Sequence, residues 1–120
     1  MPRVAIPIVR QPVDGTFRVN FTGAIVPNPT DHHELKASPS DKLVLIAQNN
    51  TGLTKTITVK KGTDPTLSKG GADLVLQVFS GEHHVFGPFE QWKYVQPGGV
   101  LWLDLQAGYN SGSLQAILLP

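Results

Sequence analysis

Two histidine pairs are the densest concentration of potential chemistry in this chain. Asp31-His32-His33-Glu34 sets two imidazoles between two carboxylates, and His83-His84 supplies a second pair. A zinc or nickel centre needs three or four ligands from separated positions, which four histidines and two carboxylates could supply if the fold brought them together. Adjacent histidines make poor joint ligands when they lie on a strand, because they point to opposite faces. The simpler reading is a polar loop and a polar hairpin, with no metal and no cofactor.

Other chemistries find less support. The serines (Ser38, Ser40, Ser68, Ser80, Ser111 and Ser113) sit in turn-like contexts, and no Gly-x-Ser-x-Gly elbow is present to expose one as a nucleophile. Lys69-Gly70-Gly71 is not a phosphate loop, since no Gly-Lys-Ser/Thr follows and the next segment has the pattern of a strand. Glu90 and Asp104 are candidates for a pair of catalytic carboxylates, but Asp104 reads more simply as an outward polar residue of a strand. The expectation is a protein that is not an enzyme. Trp92, Tyr94 and Trp102 could form an aromatic platform for a sugar or a patch at a protein interface, unless they pack within the domain.

The elements that would position these residues are strands. Val100 to Leu105 alternates, with Leu101, Leu103 and Leu105 on one face and Trp102 and Asp104 on the other. Gly108-Tyr109-Asn110-Ser111-Gly112 offers a tight turn, and Ser113 to Leu119 a return strand. Lys42 to Asn49 is apolar enough for a strand covered on both faces. Asn49-Asn50-Thr51-Gly52 reads as a hairpin loop leading into an alternating strand over 55–60. Further strands are expected over 16–22, 73–79 and 83–86, and alternation of Trp92 and Tyr94 against Lys93 and Val95 suggests another over 90–96. Residues 30–41 read as a loop, with room for a turn of helix at 31–37.

The count of about eight short strands predicts an all-β, single-domain antiparallel sandwich or small barrel, jelly-roll-like, over residues 16–120. Residues 1–15 carry Pro2, Pro7 and Pro12, which rule out a helix or a central strand. They are expected to form an extended N-terminal arm or edge segment, whose apolar Val4, Ile6, Ile8 and Val9 dock on the same domain or on a neighbouring subunit.

Composition narrows the function classes. At 120 residues the chain can bury one core. Twelve Gly and ten Pro imply many turns and no long helix. A net charge of +1 with scattered Lys and Arg gives no electrostatic reason to expect nucleic acid or an anionic membrane as partner. With no cysteine, packing and ladders alone must hold the domain. No apolar run approaches the roughly 18 residues of a membrane span. The N-terminus lacks the pattern of a secretory signal.

From Lys42 onward a succession of features appears in order: the apolar strand ending at Asn49, Thr58-Val59-Lys60-Lys61-Gly62 through Pro65, and Gly71-Ala72-Asp73-Leu74. Gly87-Pro88-Phe89-Glu90, Trp102-Leu103-Asp104 with Ala107-Gly108, and Ala116-Ile117-Leu118-Leu119-Pro120 complete it. In this the chain resembles the head decoration (cement) proteins of tailed bacteriophages. The resemblance implies a virion protein on the outer surface of the phage head, with the major capsid protein as partner and a homotrimer as its expected form. It carries no catalytic motif, and neither the first 41 residues nor the histidine pairs belong to it. An interface through Val4, Ile6, Ile8, Val9, Trp92, Tyr94 and Trp102 is the corresponding expectation. The competing reading is a lectin-like binding module on a virion surface, or a tail-associated structural protein.

Overall fold

The computed structural model of the chain describes residues 3–10, 25–36, 42–63, 72–89 and 91–119. Among these residues the strands are β1 (Val4–Ala5), β2 (Ile8–Arg10), β3 (His33–Lys36), β4 (Leu43–Asn49), β5 (Lys55–Val59), β6 (Leu74–Val78), β7 (His83–Phe86), β8 (Val100–Leu105) and β9 (Gly112–Leu118). One four-residue helix, α1 (Gln91–Tyr94), lies between β7 and β8. The strands form two sheets, ordered β1-β3-β8-β5-β6 and β2-β9-β4-β7. The fold is an all-β sandwich.

Alternation builds the core as the pattern requires. Leu101, Leu103 and Leu105 of β8 are buried while Val100, Trp102 and Asp104 are partly exposed. From the facing sheet, Leu43, Leu45 and Ala47 of β4 meet them in the same core, as do Leu114, Ala116 and Leu118 of β9. Each large aliphatic side chain so buried contributes about 1.5–3 kcal/mol relative to exposure. On the outer face of β4, Ile46 is buried as well, so the apolar run there is covered on both sides.

Consecutive strands rarely pair. Sequence reading joins β4 to β5, β6 to β7 and β8 to β9 through tight turns as hairpins, yet each of these pairs is divided between the two sheets. Among the described strands β5 and β6 are the only chain neighbours that share an antiparallel ladder. The turns are arches over the edge of the core. At the first, the buried Asn49 side chain donates from Nδ2 to the carbonyls of Leu53 (2.7 Å) and Val78 (2.8 Å) and accepts from the Thr51 amide (2.9 Å), so one residue ties the corner to both sheets. At the last, Tyr109 is fully buried and its hydroxyl donates to the Gln48 carbonyl at 2.9 Å. Gly112 then enters β9 at a φ of 128°, and a Cβ placed there would lie 2.0 Å from the Gln48 carbonyl oxygen.

Two expectations need correction. The segment expected to be a loop or helical turn holds β3, an antiparallel partner of β8 in the register His33↔Leu103 to Lys36↔Val100. Its alternation is hidden because one of its inward residues is His33, which reads as polar but is fully buried beside Leu35. The segment expected to be a strand over 90–96 is helical at Gln91–Tyr94, and Tyr94, Val95 and Gln96 are all buried in succession. Its backbone is claimed elsewhere: the carbonyls of Lys93 and Val95 accept the amides of Gly62 (2.7 Å) and Thr63 (3.1 Å). Gln96 completes the joint, donating Nε2 to the Lys61 carbonyl at 2.7 Å and accepting from the Thr63 hydroxyl through Oε1. The strand expected over 16–22 lies outside the described residues.

Residues 3–10 are built into the sandwich. β1 pairs in parallel with β3, and β2 pairs in parallel with β9, so the arm closes one edge of each sheet. Pro7 stands between the two strands, where no ladder amide is needed, and its carbonyl accepts the Ala116 amide at 3.0 Å. Ile6, at the crossover, is buried in the core.

Candidate interaction surface

The histidine pairs are engaged structurally. His33 is fully buried; its Nδ1 bonds the Val4 carbonyl (3.0 Å) and its Nε2 accepts the Asn28 amide (2.9 Å). Those two partners fix a neutral ring with its proton on Nδ1. Burial lowers its pKa from the ordinary 6.5; the Val4 bond opposes this, and nearby His32 and Arg3 act with burial. Both ring nitrogens are taken, so His33 has no lone pair for a metal. His32, at a φ of 61°, uses Nδ1 to accept the Leu105 amide at 3.0 Å. His84 accepts the Phe79 amide through Nε2 (3.2 Å), lies 3.3 Å from Glu82 Oε2, and stacks on Phe86 with ring centroids 5.6 Å apart. His33 and His83-His84 belong to different sheets, and among the described residues no cluster of three or more His, Asp or Glu could hold a metal ion.

Two of the three aromatic candidates can be placed, and they do not meet: one lies in the core and the other on an outer sheet face. Tyr94 is buried and meets Phe89 edge-on at 6.4 Å. Trp92 belongs to α1, but its side chain lies outside the described residues. Trp102 sits on the outer face of the five-stranded sheet, where the Arg3 guanidinium stands 5.0 Å from its ring centroid. Arg3 is held there by an ion pair to Asp104 at 2.6 Å and by longer contacts (3.3 Å) to the His33 and Leu103 carbonyls. A face capped by its own cation–π partner is not free to stack on a sugar.

Of the arm residues, Ile6 is spent on the domain's own core and Val4 is partly covered within the β1–β3 ladder. Ile8 is the one that emerges, at 37 % exposure. The Val9 side chain lies outside the described residues.

Of the six exposed large apolar side chains among the described residues, Ile8 and Val26 lie elsewhere and four lie on or beside the opposite flank, where β6 and β7 form the other edges of the two sheets and touch each other. Val75 of β6 and Val85 of β7 are 58 % and 66 % exposed. Phe79, in the crossing between them, and Leu53, in the neighbouring arch, are also exposed. The arch is held against the crossing by the Gly52 amide, which donates to Ser80 Oγ at 2.9 Å. None of these four was singled out by the sequence reading. A signal existed: Val75 and Val85 occupy the polar phase of alternating strands, where a valine has no core to enter.

No family model matches the chain, and neither a curated protein nor a solved structure matches it.

Proposed function

We propose that this chain is a decoration (cement) protein of a tailed-bacteriophage head, attached to the outer surface of the assembled shell through the flank formed by β6, β7 and the arch at Leu53. The observation that carries this reading is that four exposed apolar side chains, Leu53, Val75, Phe79 and Val85, lie on or beside the two edge strands β6 and β7. Large apolar side chains left in water along a sheet edge are area that a protein partner can bury. Among the described residues both sheets end there in edge strands, and strand addition at such an edge is one way for a partner to dock.

The mechanism follows from linkage. A module that binds neighbouring capsid subunits only in the assembled lattice favours that lattice by its binding free energy. Repetition by symmetry turns a modest contact into high avidity, and a homotrimer at threefold points of the shell is the arrangement that the resemblance implies. A sandwich braced at both edges of one side by its own arm is a stiff spacer, so little of that binding energy goes into ordering the module.

Quantitative mass spectrometry of purified particles tests this directly. Copy numbers of one per capsid subunit, or one per few, support decoration of the whole shell. A handful of copies per particle, or none, overturns it. Val75→Asp with Val85→Asp should abolish incorporation while the purified variant keeps its melting temperature; undiminished incorporation would move the contact off this flank.

A further inference from the structure

We infer that His33 is an acid-sensitive latch for the N-terminal strand, so that the arm opens locally as the pH falls while the rest of the sandwich stays folded. Three bonds meet at this residue or beside it. Its Nδ1–H donates to the Val4 carbonyl, its Nε2 accepts the Asn28 amide, and the Val4 amide donates back to the His32 carbonyl at 3.1 Å. The ring therefore joins β1 to the loop before β3 while sitting beneath both.

Protonation breaks this arrangement at a definable atom. Nε2 becomes a donor and faces the Asn28 N–H, so an accepted hydrogen bond turns into two opposed donors in a site without water access. Among the described residues no carboxylate is bonded to the buried ring. The charged and titratable groups around it are Arg3 of the arm, His32 and Glu34 on either side in the chain, Asp31 of the loop, and Asp104 of β8. Asp104 is already paired with Arg3, and Asp31 contacts Asn28 Nδ2 through Oδ2 at 3.5 Å. Arg3 and His32 both disfavour a cation on the ring. When the arm opens, the ring gains water and its proton affinity returns toward the ordinary value.

The sign follows from the proton count. The open form binds the proton more readily than the closed one, so the closed arm is fully favoured above the ordinary value of 6.5 and loses ground as the pH falls below it. One proton limits the change to about tenfold in the open-to-closed ratio per pH unit. Two further contacts of the segment, Ile6 in the core and the Ile6 amide on the Glu34 carbonyl at 2.9 Å, contain no titratable group and add no pH dependence of their own.

The test is amide hydrogen exchange on the whole protein from about pH 7.5 to about pH 5, corrected for the intrinsic pH dependence of exchange. Val4 and Ile6 report the arm, and the β4 amides report global opening. NMR of the His33 ring in the same samples gives its tautomer and midpoint. The expected result is an Nδ1–H ring with a midpoint below 6.5, and arm opening that rises by up to tenfold per pH unit over the range below 6.5, while β4 protection holds. His32→Gln should keep this dependence and His33→Gln should abolish it. Arm protection that does not change with pH, a ring midpoint at or above 6.5, or a dependence that survives His33→Gln would each overturn the latch. The ring and exchange measurements on the unmutated protein decide the matter even if His33→Gln does not fold.

Discussion

Replacing Gly112 by alanine is expected to be among the most damaging small substitutions in the molecule. The residue begins β9 opposite Asn49 and holds a φ of 128°, a conformation that side chains other than hydrogen rarely adopt. The strain alone is worth about 1–3 kcal/mol. The added methyl would also lie 2.0 Å from the Gln48 carbonyl oxygen and 2.8 Å from its carbonyl carbon, and both belong to the backbone of the adjacent strand. Relief requires β4 and β9 to separate at the very point where Tyr109 is bonded to the same carbonyl. Overpacking of a tight site adds about 1–3 kcal/mol, which brings the total to roughly 2–6 kcal/mol. That is a large share of the roughly 5–15 kcal/mol that holds a typical domain together. Gly98→Ala supplies the control, because Gly98 has a comparable positive φ of 93° but open space around its missing Cβ. Urea unfolding of both variants separates strain from clash. Gly112→Ala should lower the midpoint well beyond Gly98→Ala, and at roughly 4 °C per kcal/mol its melting point should fall by about 8–24 °C. Equal losses in the two variants, or a loss at Gly112 under about 0.5 kcal/mol, would refute the steric argument.

Three further outcomes are expected. Removing the chain through Pro7 should destabilise the domain by at least the roughly 2 kcal/mol of Ile6 burial, since residues 3–7 are built into the sandwich; thermal melting checks this. Arg3→Ala should uncover Trp102, shift its fluorescence emission toward that of a solvated indole, and cost about 0.5–2 kcal/mol, part of it screened by salt. Tyr109, whose pKa burial raises above its ordinary 10.0, should make the domain alkali-sensitive: stability holds below pH 10 and falls above it, and Tyr109→Phe should flatten that slope in pH-dependent denaturation.

The strands were largely legible because alternation is a local property. Leu101, Leu103 and Leu105 announce β8 in six residues, and Ile57 and Val59 announce β5. What alternation cannot encode is which strand lies next to which. The turns after Asn49, Phe79 and Leu105 have hairpin chemistry, but whether a turn folds a strand onto its own sheet or lifts it to the facing one depends on distant partners. Asn49 makes the arch by reaching Val78, and Tyr109 by reaching Gln48, and neither contact has a sequence signature. His33 misled in the other direction: a residue classed as polar fills a core position because two backbone groups satisfy it. The surface was the least legible part. Trp92, Tyr94 and Trp102 drew the eye as large aromatics. Tyr94 proved to be core and Trp102 is capped by Arg3, while Val75 and Val85 looked ordinary.

The pairing of β2 with β9 has a consequence for how the molecule comes into being. A strand near the start of the chain leaves the ribosome early, yet Ile8 has no ladder partner until Ala116 has been made, and Ala116 is itself held by β4. Until β9 has been made, the apolar segment of β2 is unsheltered, and this sheet closes only when β9 arrives. Until then Pro2, Pro7 and Pro12 are well placed as gatekeepers, because a segment interrupted by proline is a poor template for pairing with another copy. Pro7, which separates β1 from β2 in the finished domain, would thus also keep the segment out of aggregates while it waits.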